Sequence, residues 1–284
     1  MKHPEPVCAT TRIHQKTGEW IPGSFTDFLT ELEAIEHTSS DTGLLLYRGH
    51  ANREWRLDST FVRTVKTKLF DMKPTDRFSE HLRQSGDLHT MLSSLLLLKF
   101  GSFIGPSSEL LAAETEHGVD AWFELMKRYQ QYPEEDMEGL KGTNLIDWSR
   151  SSDVALYFAN DRREGPGALF VCDATATGKT LQVMPVANIL AKLRLNVMKG
   201  LSNGRPLLFS PNRQIAYQRA KNQQAVYFSQ MELRLDLLEL WQKIEQEMPE
   251  ETIALKIVLP HGSQDECKSY LDSKGIDENF IYPE

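Results

Sequence analysis

The sequence predicts one mixed α/β domain of the α+β kind. Short apolar runs bounded by glycines alternate with helix-periodic segments, helices crowd the first half, and no Gly/Ser linker divides the chain. The 284 residues are 40% hydrophobic and 25% charged, enough apolar material for one large core. Residues 1–284 are therefore read as a single domain, with an N-terminal arm and helix over 1–42 and a helical insertion at about 70–140.

Taken in order, the first 20 residues read as an extended arm. A helix is expected from Ser24, whose hydroxyl can cap with Asp27 three residues on, and Phe25, Phe28, Leu29, Leu32 and Ile35 fall on one face. Gly43 to Gly49 is apolar between glycines and reads as a buried strand ending at Arg48. Residues 76–131 read as mostly helical, broken at Pro106, and Pro133 to Gly142 as an exposed acidic loop. Leu145 to Ser149 reads as a strand, and Ser151 to Asp153 can cap a helix starting near Val154. Gly167 to Asp173 is a second buried strand, followed by a helix at about 186–199 and a Gly/Asn/Pro-rich loop over 200–214. A strand over 224–230, an amphipathic helix over 234–247, a strand over 252–259 and a final helix complete the chain.

A net charge of −8 argues against a duplex binder, which needs a basic face to neutralise phosphates, so nucleic acid is an unlikely partner. A local basic pocket is compatible with that balance. Cys8, Cys172 and Cys267 are odd in number and form no C-x-x-C pair, which excludes the usual zinc and disulfide patterns and fits a reducing cytoplasm. The eight histidines show no metal-ligand spacing, and no metal is expected. No segment is apolar enough to span a bilayer.

Chemistry concentrates around two strand ends. Arg48 closes an apolar strand before Gly49, where a guanidinium can grip a phosphate or carboxylate with two parallel hydrogen bonds. It can equally pair with Asp147, an acid inside an apolar segment that needs a partner in Arg48, Arg63 or backbone N–H groups. Ser149 follows Trp148 just before a helix and can bond a ribose or form the turn. Trp148, Tyr157 and Phe158 fit core positions better than stacking platforms. His50 can act as acid or base, contact phosphate, or simply sit at the surface.

Four segments together resemble the FRG-domain family. They are Tyr47-Arg48-Gly49 followed by Trp55, Leu57 and Arg63; Leu145 to Ser149 followed by Val154 to Ala159; Arg219 with Gln223 to Tyr227; and Lys256-Ile257 with Gly275-Ile276 and Tyr282-Pro283. Where that family usually carries a Gln-His-Tyr-Gly run, this chain reads Glu138 to Gly142, or the run is displaced to Tyr129-Gln130-Gln131-Tyr132 by an insertion; Asn144 stands where an Arg is usual, and Ala225 where a Gly is usual.

The order of Arg48, Ser149 and the segment after Gln223 also resembles the Arg-Ser-Glu class of ADP-ribosyltransferases. That resemblance implies a split sheet with a helical insertion, and NAD as the substrate. It implies Arg48, Ser149, Gln223 and Glu232 as catalytic residues, with Tyr47, Arg48, Gly49, His50, Asp147, Trp148 and Ser149 around the nucleotide. Ala225 occupies the position of the usual glutamate, and Gln230-Met231-Glu232 supplies a Gln-x-Glu a few residues later. The activity implied is an NAD-using bacterial toxin or anti-phage effector. A module sensing a nucleotide or phage product, or a protein that pairs with a partner such as an antitoxin, is the alternative.

Overall fold

Residues 167–172 are apolar throughout because they lie deep in a sheet covered on both faces. Ala168, Phe170 and Cys172 point into one core cluster, and Leu169 and Val171 into another. The computed structural model describes residues 19–39, 45–67, 142–174, 182–183, 206–209, 218–230, 232–247 and 253–283. Its strands are β1 (Glu19–Trp20), β2 (Leu45–His50), β3 (Leu145–Ser149), β4 (Gly167–Asp173), β5 (Gln182–Val183), β6 (Leu207–Phe209), β7 (Ala225–Ser229) and β8 (Ala254–Leu259). The helices are α1 (Phe25–Ser39), α2 (Thr60–Val65), α3 (Ser152–Asn160), α4 (Gln218–Gln223), α5 (Leu237–Glu247), α6 (Gln264–Ser273) and α7 (Glu278–Ile281).

Among the described residues the strands form one mixed sheet in the order β1-β8-β4-β2-β3-β7-β6-β5. The end pairs β1–β8 and β5–β6 are parallel and the rest antiparallel. Apolar residues of α1, α3 and α6 cover one face, and those of α5, led by the fully buried Trp241, cover the other. This is the mixed α/β architecture that the alternation of elements predicts.

The helix ends follow side-chain chemistry. The Ser24 hydroxyl accepts from the Asp27 backbone N–H at 3.1 Å and donates to its carboxylate at 2.8 Å, which starts α1 where the sequence places it. Ser151 caps α3 by accepting from the Val154 N–H. The helix expected over 234–247 begins later, at Leu237. Asp236 and Glu239 form a reciprocal capping box, each carboxylate accepting the other's backbone N–H at 2.9 Å. The expected loop over 200–214 contains β6, which adds to β7 through Leu207↔Ser229. The expected insertion at 70–140 and the helix at 186–199 lie outside the described residues.

One joint in the sheet is thin. β2 pairs with β4 along its whole length, from Leu45↔Asp173 to His50↔Ala168, and β3 pairs with β7 from Leu145↔Ser229 to Ser149↔Ala225. Between β2 and β3 the register records a single rung, Tyr47↔Ser149. The two halves part beyond it. α3 packs directly over this joint because Gly49 has no side chain: a Cβ there would stand 1.8 Å from the Ala155 carbonyl oxygen and 2.5 Å from the Ala159 nitrogen. Both are backbone atoms of a packed helix and cannot turn aside. Gly49→Ala should therefore lower unfolding stability by about 3 kcal/mol or more, or prevent folding. Urea denaturation followed by circular dichroism checks this, and a loss under about 1 kcal/mol would contradict the packing described.

Candidate functional site

Where β2 and β3 part, a cavity of about 330 Å³ opens, lined from both faces of the sheet. Arg48, Gly49, His50 and Trp55 come from β2 and the turn after it, Asp147, Trp148 and Ser149 from β3, and Ala155 and Phe158 from α3. Arg63 of α2, Arg219 and Gln223 of α4, and Ala225 of β7 close the remaining wall.

Arg48 is half-buried and spans the gap between the strands. One Nη1 N–H donates to the backbone carbonyl of Asp147, and Nε–H donates to His50 Nε2 at 3.0 Å. Asp147 lies two residues from Ser149, so its carbonyl faces β2 on the same edge as the single rung. The guanidinium thus takes over the acceptor that a further rung would have used. Three of its five N–H groups have no partner among the described residues and remain for a ligand. Burial and the Arg63 charge push the Arg48 pKa down from its ordinary value, while the Asp147 charge opposes them. An arginine stays cationic under such pressures.

His50 holds Arg48 from behind. Its Nε2 accepts from Arg48, so the proton sits on Nδ1, which faces the Trp55 carbonyl at 3.3 Å. The ring also packs edge-on against Phe170 with centroids 5.0 Å apart. Burial, then the Arg48 charge, pushes its pKa down to about 3, with Arg63 and Lys256 adding to the effect against the hydrogen bond that His50 donates to the Trp55 carbonyl. The imidazole is neutral at ordinary pH and serves as an acceptor for Arg48. Its lone pair is already engaged, which argues against the general-base role open to it from sequence.

Ser149 is buried, and its hydroxyl proton is committed to a local partner. It donates to the Gln223 carbonyl at 2.7 Å and accepts from the Ser151 N–H at 2.9 Å. It ties the end of α4 to the turn before α3, the turn-forming role rather than a free ligand hydroxyl. Gln223 lines the cleft while its side-chain amide donates to the Ile281 carbonyl at 3.1 Å. Next to it, Gln224 adopts a left-handed backbone with φ 45°, unusual outside glycine, and its carbonyl accepts from the Arg150 N–H.

The expectation for Glu232 is corrected by the structure. Glu232 does not line the cleft. It is buried elsewhere, its carboxylate held by Arg234 Nε at 2.8 Å and Nη2 at 2.7 Å and by the Arg234 backbone N–H. The Gln-x-Glu pattern begins beyond the end of β7, and Gln230 is a core residue that bonds the Ser59 N–H, Asp58 and the Leu235 carbonyl. Tyr47 lines the cleft, but its hydroxyl bonds Glu36 on the α1 side, and burial with that carboxylate raises its pKa. Ala225 stands directly opposite Ser149 in the β3–β7 register and offers no carboxylate. Trp148 is 2% exposed and packs edge-on to Phe228 and Trp241, so it forms the floor.

Sequence reasoning gave Trp55, Arg63 and Arg219 no role of their own beyond the family pattern, apart from Arg63 as a partner for Asp147. Trp55 is 56% exposed at the rim, an unusual place for so large an apolar ring. It also borders a second cavity of about 380 Å³ containing Arg53 and Pro166.

No family model, curated protein or solved structure matches this chain. The site's chemistry therefore rests on its own geometry. Among the described residues no cluster of His, Cys, Asp and Glu could hold a metal ion, and no helix is long and apolar enough to cross a membrane. Cys172 and Cys267 are free and buried, and burial raises both thiol pKa values.

The His50 pKa has a consequence for stability. A histidine whose folded pKa falls from 6.5 to about 3 binds fewer protons folded than unfolded in that window. Its contribution is complete above pH 6.5 and is lost progressively as pH falls toward 3. His50→Gln keeps an acceptor for Arg48 and removes the titration. Urea midpoints measured from pH 7 down to about 4.5 should fall less steeply for the variant than for the native chain. Parallel curves would contradict the neutral, buried imidazole.

Proposed function

We propose that the cleft between β2 and β3 binds a diphosphate-bearing nucleotide of the NAD type, and that the chain is an FRG-like, ADP-ribosyltransferase-related module that senses this ligand. The carrying observation is the charge of the cleft. In a chain of net charge −8, three guanidiniums (Arg48, Arg63 and Arg219) and one carboxylate (Asp147) line a single cavity, with His50 neutral. Concentrated positive charge at a concave, partly desolvated surface favours an anion, and planar guanidiniums fit phosphate oxygens. The exposed Trp55 face beside them suits a base or another planar ring. Binding without turnover is favoured because Glu232 is engaged away from the cleft and Ala225 fills the position across from Ser149. Stabilisation of a sugar cation by a facing carboxylate is typically worth a few kcal/mol.

Asp147 favours a second reading, since it is the carboxylate within reach of the cleft. In that reading the bond between nicotinamide and ribose C1′ breaks with its electron pair going to the nicotinamide nitrogen. An acceptor nucleophile then bonds C1′ and loses its proton, while Asp147 faces the developing positive charge. The toxin or anti-phage effector role belongs to this version.

Calorimetry with NAD and ADP tests the binding claim. Native protein should bind both. Arg48→Ala should weaken binding about 10- to 100-fold, as expected for loss of a charge-assisted bond to phosphate. Arg48→Lys should recover little, because an ammonium cannot reach His50 and Asp147 while also gripping a phosphate. Absence of heat with either ligand at millimolar concentration would overturn the proposal. Nicotinamide release from NAD, abolished in Asp147→Asn and intact in Glu232→Gln, would establish the second reading in place of the first.

A further inference from the structure

Arg219 and Gln223 reach the cleft from α4, a helix of six residues that buries none of its own side chains. Such a short helix has little intrinsic stability and needs outside anchors. On one side the Ser149 hydroxyl bonds the Gln223 carbonyl. On the other, three contacts join α4 to α7 and the residue after it. Asn222 Nδ2 donates to the Phe280 carbonyl at 2.6 Å, Gln223 Nε2 donates to the Ile281 carbonyl at 3.1 Å, and the Arg219 guanidinium lies over the Tyr282 ring, 4.8 Å from its centroid. The Tyr282 ring also meets Phe158 edge-on at 6.4 Å. Phe158 and Arg219 both line the cleft, so one ring backs two of its wall residues.

Arg48 and Arg63 enter the cleft from β2 and α2, whereas Arg219 enters from beyond β3, ahead of β7. The cleft therefore has two cationic poles. Resting on the proposed nucleotide reading, we propose that Tyr282 is a positioning residue that fixes Arg219 as the second pole, so that the site selects ligands with two anionic groups over those with one.

The test compares ADP with AMP, by calorimetry, on the native chain, Tyr282→Ala, Tyr282→Phe, Arg219→Ala and the double variant. Tyr282→Ala should weaken ADP about three- to fivefold, the size of an exposed cation–π contact, and AMP hardly at all. Tyr282→Phe keeps the ring face and should behave as native. The double variant should bind ADP no more weakly than Arg219→Ala alone. Equal losses for ADP and AMP, a Tyr282→Phe variant as weak as Tyr282→Ala, or additive losses would overturn the positioning role. A ligand-free readout separates this claim from the nucleotide reading. The Arg219 Nε–H resonance should be shifted by the ring current in the native chain and Tyr282→Phe, and released in Tyr282→Ala. Failure of the native chain to bind ADP and AMP would sink the nucleotide reading and with it the selectivity. An Arg219 resonance indifferent to Tyr282→Ala would sink the positioning itself.

Discussion

The site depends on a guanidinium standing in a gap in a β-sheet. β2 and β3 share one rung, and beyond it Arg48 reaches across to the Asp147 carbonyl. A carbonyl left in a dry gap would cost on the order of 1–3 kcal/mol. A charged donor satisfies it, and His50 fixes the direction of that donor from the same strand, two residues on. Because side chains two apart on a strand share a face, a Tyr-Arg-Gly-His sequence sets the direction of the guanidinium from within one strand, and β3 supplies the carbonyl it meets. The glycine between them serves the opposite face, where α3 sits too close for any Cβ. A single tetrapeptide thus admits the helix, opens the cleft and arms it.

Electrostatics then mark the cleft. Several buried charges elsewhere meet an opposite charge: Asp58 accepts from Lys66 at 2.7 Å, Glu232 is gripped by Arg234, and Lys256 pairs with Glu19 at 2.8 Å. Arg163 is held instead by the Pro260 carbonyl at 2.7 Å and by Ser263 at 3.0 Å, as a single cation outside the cleft. Inside the cleft the guanidiniums outnumber carboxylates, and the partners of Arg48 are a neutral imidazole and a carbonyl. Neutral acceptors orient a cation without cancelling its charge, which leaves it available to an anion. A carboxylate in the place of His50 would have left a structural ion pair instead.

Much of this was legible in the sequence. β2, β3, β4 and α1 stood out because apolar runs and a Ser24–Asp27 cap state their own secondary structure. Arg48, Asp147 and Ser149 stood out because polar groups ending apolar strands need explanation. The rest was not local information. The Gln-x-Glu spacing suggested Glu232, yet whether a residue past a strand end faces a cleft depends on where the chain turns. Here Gln230 folds into the core and Glu232 meets Arg234. The late start of α5 was written in Asp236 and Glu239 and could have been read from their spacing. Trp55, Arg63 and Arg219 acquire meaning only when α2 and α4 close around the gap, a tertiary fact that no periodicity carries.

The arginine side-chain resonances of the native chain, recorded while inorganic pyrophosphate is added, report most directly on the central claim. Arg48 Nε–H, bonded to His50, should give a signal slow to exchange with solvent even before the addition. On titration the signals of Arg48, Arg63 and Arg219 should move together and saturate at one affinity. An Arg48 signal that stays fixed while shifts gather on other arginines would contradict the account.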